Sequence, residues 1–203
     1  MTPLLSILIP TVDGREACYD SLVSELNRQI EDIFPFDLVE IVTHKDAKQI
    51  SISQKREELY QMANGLYSWQ IDDDDTIAPD AISLILDEIP KNPDCITFEE
   101  SVTIDGKYSR SNFSLKYKEW NGDGNRVLDD GFHYQRSPFY KCVIKTDIAR
   151  SVPFPTNCRY NEDEQWSMAL IHHLSTEVHI DKQIYIYKYE STPFNERYGF
   201  DKQ

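Results

Sequence analysis

The residues with the most chemistry to offer lie at 67–76, where Tyr67-Ser68-Trp69-Gln70-Ile71 runs directly into Asp72-Asp73-Asp74-Asp75-Thr76. The apolar part reads as a strand. If extended geometry persists past Ile71, side chains alternate, so Asp72 and Asp74 share one side and Asp73 and Asp75 the other. Same-side carboxylates are then about 6–7 Å apart, and at an effective dielectric of 20 they repel by about 2–3 kcal/mol. A compact fold tolerates this only with compensation. A divalent cation supplies it, because a Mg²⁺-type site takes one or two carboxylates and leaves its other positions to water and phosphate oxygens. The bland alternative is a solvated acidic turn whose later members favour the N-terminus of a following helix by about 0.3–1 kcal/mol each. Four aspartates directly after an apolar strand favour the metal or phosphate site.

A second acidic group, Asn161-Glu162-Asp163, precedes Trp166, Leu170 and Leu174 at helical spacing. A positioned carboxylate can remove a proton from an attacking hydroxyl, a contribution of about 10² to 10⁴ in rate. Asn161 as an N-cap with two acids in the first helical turn would serve a purely structural end equally well. His133, His172, His173 and His179 show no ligand spacing and read as packing or surface residues.

The elements that position these groups follow from composition and periodicity. With 203 residues, 40% hydrophobic and 28% charged, the chain fits one compact domain. Its net charge of -14 repels phosphate backbones and anionic membranes, so nucleic acid is not expected as a non-specific partner. No apolar run approaches the roughly 20 residues of a membrane span, and the start Met1-Thr2-Pro3-Leu4-Leu5 lacks a signal peptide's basic region, so a cytoplasmic location is expected. Cys18, Cys95, Cys142 and Cys158 form no C-x-x-C pair and read as free thiols.

Leu4 to Ile9 is a near-continuous apolar run, as in a strand buried on both faces. Cys18, Leu22, Leu26, Ile30 and Ile33 then recur at helical spacing. Leu38 to Val42 reads as the next strand. Ser51-Ile52-Ser53-Gln54 has the form of a capping box that opens a helix closed by Asn64-Gly65. Tyr67 to Ile71 is the third strand, Pro79 starts a helix carrying Ile82, Ile85, Leu86 and Ile89, and Cys95 to Phe98 follows as a strand. This β-α-β-α-β-α-β order predicts a mostly parallel sheet with helices on both faces. Beyond it, Asp105-Gly106 signals a hairpin and the sheet is expected to become mixed. Phe139 to Ile144 reads as a strand, Glu162 to Leu174 as a helix, and Val178 to Ile180 and Ile184 to Tyr189 as two closing strands, with a frayed tail after Pro193.

On particular residues the chain resembles glycosyltransferase family 2, whose catalytic domain has the GT-A fold. Those residues are Lys55-Arg56-Glu57-Glu58-Leu59, Ala63-Asn64-Gly65-Leu66-Tyr67, Ile71 to Asp75 and Pro79, together with the opening Leu5-Ser6-Ile7-Leu8-Ile9-Pro10-Thr11 and Arg15. The similarity covers roughly residues 4–90 well and the rest more loosely. It implies an α/β, Rossmann-like three-layer α/β/α domain with a central mostly parallel, mixed sheet, with a nucleotide-sugar-binding half near 1–100 and an acceptor-side half near 101–203.

The resemblance also implies roles. Pro10, Thr11 and Arg15 would line the donor turn, with Thr11 near the base and Asp46 hydrogen-bonding it. Lys55 and Arg56 would lie near the diphosphate or brace the aspartates. Asp72 would face the ribose with Asp73 beside it, and Asp74 with Asp75 would face Mn²⁺ or Mg²⁺. Asp163, next to Glu162, would be the general base. The implied reaction is inverting, metal-dependent transfer of a sugar from a nucleotide-sugar donor, with a UDP-sugar expected, to an acceptor hydroxyl.

Some positions depart from the family pattern. G-x-K-R-N is here Ser53-Gln54-Lys55-Arg56-Glu57, and the acidic pair ending the second strand is replaced by Thr43-His44-Lys45. A late metal-binding histidine found in some members is missing or replaced at Tyr187-Lys188-Tyr189-Glu190-Ser191, and Asn195 and Arg197 are candidates to close over the donor. The Q-x-x-R-W motif of processive synthases is absent. With little room for an accessory domain, a partner or homodimer is a candidate to complete the acceptor side. Rival readings are a haloacid-dehalogenase-type phosphohydrolase, since Asp72-Asp73-Asp74-Asp75-Thr76 also fits D-x-D-x-T, a nucleotidyltransferase lacking its Gly-rich loop, and a non-catalytic metal- or sugar-binding module.

Overall fold

The computed structural model describes residues 2–33, 36–156 and 161–191. Its elements are β1 (Leu5–Val12), α1 (Glu16–Glu31), β2 (Val39–Asp46), α2 (Ile52–Met62), β3 (Tyr67–Gln70), β4 (Thr76–Ile77), α3 (Ala81–Glu88), β5 (Cys95–Ile104), β6 (Lys107–Phe113), β7 (Tyr134–Arg136), β8 (Val143–Lys145), α4 (Thr146–Ser151), α5 (Glu162–Leu170) and β9 (Glu177–Tyr189). The strands form one open sheet in the order β2-β1-β3-β8-β5-β6-β7, with β9 on the other edge of β5 and β4 against β9.

β1 lies inside the sheet, next to the edge strand β2, and Leu5 to Thr11 are all buried, which requires cover on both faces. It pairs in parallel with β2 and β3. β8 is antiparallel to both β3 and β5, so β5 keeps the direction of β3 even though another strand lies between them. The β-α-β units therefore keep their strands in one direction, and the mixed character enters with β8. Helix α2 opens on Ser51, whose Oγ accepts from the Gln54 amide at 3.2 Å. Only half of the expected capping box forms, because the Gln54 side chain donates to Glu58 instead.

In the second half, three sequence boundaries shift for local reasons. The stretch 139–142 is a turn, closed by Cys142 N–H to Phe139 O at 2.8 Å, so the strand shrinks to β8. The helix begun at Glu162 gives way after Leu170 to a 3-10 turn at 171–173. Asn161 has a positive φ of 66° and makes no side-chain cap. The two expected closing strands are one strand, β9, which follows β5 through register shifts between Phe98 and Glu100. There Lys182 leaves the sheet to pair with Asp80. The Asp105-Gly106 hairpin forms as expected, with φ of 47° and 79°.

Aromatic residues bind the two halves together. Trp69 meets Phe98 edge-on at 5.9 Å, and Tyr60 and Phe154 each stack on Trp166, at 5.5 and 4.6 Å. Cys95 and Cys142 are buried free thiols, pushed up by burial, and Cys18 is partly exposed. Cys158 and the tail after Pro193 lie outside the described residues. Among the described residues no helix is long and apolar enough to cross a membrane.

Gly65 sets the entry to β3. Its amide donates to Ser6 Oγ at 2.7 Å, and a Cβ there would stand 2.7 Å from the Ser6 amide and 2.9 Å from the Leu5 carbonyl carbon. Backbone on β1 cannot yield cheaply. Gly65→Ala is expected to destabilise the fold by roughly 1–3 kcal/mol, read as a lower urea midpoint at unchanged slope; an unaltered midpoint would contradict the close approach.

Candidate active site

β3 ends at Gln70, and the Asp75 amide donates to Asp72 O at 3.0 Å, closing a turn over 72–75. Strand alternation therefore does not persist, and the expected pairing of Asp72 with Asp74 and of Asp73 with Asp75 is not formed. The four carboxylates diverge to three sets of partners, Asp73 and Asp74 sharing one. Asp72 receives Arg56 Nη2 at 2.9 and 3.2 Å and the Tyr140 hydroxyl at 2.9 Å. Asp73 receives the Thr11 hydroxyl at 2.5 Å and pairs with Arg15 at 2.7 Å. Asp74 is exposed and pairs with the same Arg15 at 2.5 Å. Asp75 is buried, accepts from the Tyr185 hydroxyl at 2.7 Å and lies 3.6 Å from Lys141, while its Oδ1 has no hydrogen-bond partner among the described residues. The Tyr185 hydroxyl also accepts from the Asp72 amide at 3.1 Å.

These partners decide protonation. Burial pushes Asp72 up, but the charges of Arg56 and Lys141 and the hydrogen bonds outweigh it and hold the carboxyl below its ordinary range. Burial dominates at Asp73, pushed up to about 6 against Thr11 and Arg15. Asp75 is pushed up to about 8 by burial, against the pull of Lys141.

The Ser51 cap turns the next residues of α2 inward. Lys55 and Arg56 are 2% and 3% exposed, so neither belongs to a solvated helix face. Lys55 Nζ donates to Thr11 O at 2.6 Å and to Asp46. The other Asp46 oxygen accepts from the Gln49 and Ile50 amides at 2.6 and 3.1 Å. Arg56 lies 3.4 Å from the centroid of the Tyr140 ring and donates to Gln70 at 3.3 Å. Burial opposes the Arg56 charge, yet Asp72 more than restores it.

A cleft of about 200 Å³ results, lined by Pro10, Thr11, Arg15, Lys55, Arg56, Asp72, Asp73 and Asp74. Asp46 and Asp75 are not in its lining: Asp46 stands behind Lys55, and Asp75 beside Tyr185. A second cleft of about 260 Å³ lies in the other half, with Trp120, Tyr134, Arg136, Tyr140, Lys141 and Asp163 in its wall. Tyr140, stacked on Arg56 and bonded to Asp72, stands between the two. Glu162 is half-buried and pushed up by burial. Asp163 Oδ1 accepts from the Glu164 amide at 2.8 Å.

Sequence reasoning did not single out Glu100, Arg136, Tyr140, Lys141 or Tyr185. Lys141 is buried, donates to Glu100 at 2.7 Å and sits 4.4 and 4.2 Å from the rings of Tyr185 and Tyr187. The available signals were weak: a basic residue inside the apolar run 139–144, and tyrosines spaced by two along the closing strand. Of the histidines, His133 accepts from the Arg110 amide and His179 meets Thr97, both structural contacts. Asn195 and Arg197 lie outside the described residues.

Among the described residues no three His, Cys, Asp or Glu side chains converge on one point. A Mg²⁺ or Mn²⁺ ion held by one carboxylate, phosphate oxygens and water needs no such trio. Asp74, exposed at the rim of the 200 Å³ cleft, has the chemistry and access for that single protein ligand.

No protein-family profile matches the sequence, and no curated protein does. Solved structures do. The S. aureus TarS 1-349 complex with UDP is 13% identical with a TM-score of 0.63, over 95% of this chain and 62% of that one. The same protein with UDP-GlcNAc gives 11% and 0.58, over 91% and 58%. The mannosyltransferase PcManGT from Pyrobaculum calidifontis, with GDP-Man and Mn²⁺, gives 10% and 0.55, over 92% and 57%. This chain thus spans about three fifths of the length of those chains. At such identities the likeness establishes the fold: the open, mixed α/β architecture is the one these structures share.

Hydrogen bonding by Lys55, followed by the two turn amides, holds Asp46 down at about 2. The unfolded carboxyl titrates near 4. A depressed carboxyl contributes stability that is complete above the unfolded value and disappears as pH falls through the folded one. The stability gap between the natural chain and Asp46→Asn is therefore expected to be constant above about pH 4 and to shrink as pH falls toward 2, in denaturant unfolding across a pH series. A gap independent of pH would show that Asp46 is not so held.

Proposed function

We propose that the chain transfers a sugar from a nucleoside-diphosphate sugar, with uridine as the preferred base, to an acceptor hydroxyl with inversion at the anomeric carbon. One observation carries this reading: two clefts meet at the Arg56–Asp72–Tyr140 cluster, at the carboxyl ends of parallel strands where open α/β sheets bind ligands. The basic, aspartate-rimmed cleft suits a diphosphate, and the aromatic cleft carrying Asp163 suits an acceptor. The fold shared with a mannosyltransferase and with a protein that binds UDP and UDP-GlcNAc supports the same assignment.

In this reading Pro10 and Thr11 flank the base, while Arg15, Lys55 and Arg56 meet the diphosphate charge. Asp46, with its oxygens engaged by Lys55 and the 49–50 turn, braces Lys55 and leaves base recognition to backbone and Thr11. Asp72 and Asp73 orient Arg56 and Arg15, and Asp74 would hold the metal. A bound Mn²⁺ or Mg²⁺ would supply Lewis-acid stabilisation of the departing diphosphate. Asp163 Oδ takes the proton of the acceptor hydroxyl, with Glu162 beside it. With the diphosphate in the first cleft and Asp163 in the wall of the second, the acceptor hydroxyl would approach from the side away from the leaving group, and such an attack inverts the centre. The phosphohydrolase alternative needs a free Asp72 oxygen as nucleophile, whereas Arg56 and Tyr140 occupy that carboxylate.

Calorimetry with UDP is expected to show binding strengthened by Mn²⁺, and Asp74→Asn to remove the strengthening. Uptake of neither ion nor nucleotide by folded protein would sink the reading. With donor and acceptor supplied, Asp163→Asn is expected to lower transfer by about 10² to 10⁴ while UDP affinity stays within twofold or so; equal losses in both would assign Asp163 a structural part instead.

A further inference from the structure

Every other cation lining the two clefts has a carboxylate partner: Arg15 has Asp73 and Asp74, Lys55 has Asp46, Arg56 has Asp72, and Lys141 has Glu100. Arg136, at the end of β7, has none among the described residues. Its guanidinium lies 4.8 Å from the centroids of both Trp120 and Tyr134, and its Nη1 donates to the backbone carbonyls of Asn121 at 2.5 Å and Gln135 at 2.9 Å. Nε and Nη2 make no hydrogen bond among the described residues. Two rings and two carbonyls thus fix the guanidinium and leave one edge with its donors unused in the wall of the cleft.

A partly buried cation without an ion partner costs free energy. Burial does lower the Arg136 pKa, and the charges of Glu100, Glu164 and Asp163 offset this only at longer range, none reaching ion-pair distance. Guanidinium stays protonated under such conditions. A site that retains this cost, with the donor edge already oriented, is arranged for an anion that arrives with a ligand.

We infer that the second cleft takes an acceptor bearing one anionic substituent, a carboxylate or a phosphate, gripped by the free edge of Arg136 while its hydroxyl is presented to Asp163. This rests on the transferase reading and names its acceptor class. The remaining wall, with Trp120, Tyr134 and Tyr187, offers apolar faces with polar tips that suit a sugar or cyclic polyol ring. At about 260 Å³ the cleft falls just below the small-molecule range of about 300–1,000 Å³, so it holds one ring. A single charge also fits the net charge of -14, which repels a polyanion along its length but leaves a local contact inside the cleft effective.

The test titrates three probe sets, each in gluco, manno and galacto form, into the protein with UDP and Mn²⁺: neutral methyl hexosides, methyl hexuronides and methyl hexoside 6-phosphates. At least one anionic set is expected to bind about tenfold or more tighter than the neutral set, and the stronger anionic arm identifies carboxylate or phosphate. Arg136→Gln is expected to erase the preference, and Arg136→Lys to keep part of it. Equal binding by all three sets, binding by none, or a preference that survives in Arg136→Gln overturns the inference. UDP uptake read on the same samples separates the two claims: uptake without anion preference removes only this inference, while anion preference without uptake removes the transferase reading.

Discussion

A buried guanidinium at the end of the sheet is the constraint on which both clefts depend. Arg56 is almost wholly removed from water, so its charge survives only because Asp72 pairs with it, Gln70 accepts from it and the Tyr140 ring covers one face. Taking away one member of a buried pair typically costs about 3–5 kcal/mol, because the other is stranded. Three segments distant in sequence are thereby held together: helix α2, the turn after β3, and the 139–142 turn ahead of β8. The partition between the clefts is the same cluster seen from either side.

That constraint also explains how four consecutive aspartates are tolerated. Repulsion between neighbours would be severe if all four faced one space, but the 72–75 turn divides them among three elements: Asp72 to α2, Asp73 and Asp74 to Arg15 in the turn after β1, Asp75 to β9. The protein's own cations and hydroxyls therefore supply much of the compensation that an ion was expected to provide. Asp75, pushed up to about 8 by burial, holds its proton near neutral pH and so lowers the local negative charge further, whereas Asp73, at about 6, does so only in mildly acid solution. Only Asp74 keeps an exposed carboxylate, and one such ligand is what a cation shared with a diphosphate requires.

Much of this was legible in the sequence because it follows from local rules. The unbroken apolar run at β1, the Ser51 cap, the hairpin at Asp105-Gly106 and the position of the aspartates after an apolar strand are each written in fewer than a dozen residues. What was not legible depends on contacts between distant segments. The orientation of the aspartates is set by one turn hydrogen bond and by partners 16 to 113 residues away, so strand alternation was the wrong extrapolation. Tyr140 and Lys141 read as part of a strand because apolar neighbours surround them, although the chain turns there to place both at the site. β9 read as two strands because Asp181 and Lys182 interrupt its pattern, whereas a bulge absorbs them without ending the pairing. Arg136 carried no sequence signal, since what distinguishes it is the carboxylate it does not meet.

The second half of the chain is consequently part of the donor cleft's construction as well as the owner of its own cleft. The Tyr185 hydroxyl, carried on β9, accepts from the Asp72 amide and donates to Asp75, so the final strand fixes both ends of the acidic turn. Lys141 extends this link: its ammonium lies between Glu100 in the aromatic cleft and Asp75 behind the acidic turn, and it packs over Tyr185 and Tyr187. Charge introduced into the aromatic cleft is felt by Lys141 and Glu100, and through them by Asp75 and the turn that carries Asp74. In a low-dielectric interior such a chain of paired charges couples the clefts more strongly than their separate linings would suggest. Ligands in the two clefts are therefore expected to influence one another through this pair network, with Tyr140 and Tyr185 as the rigid members that transmit the change.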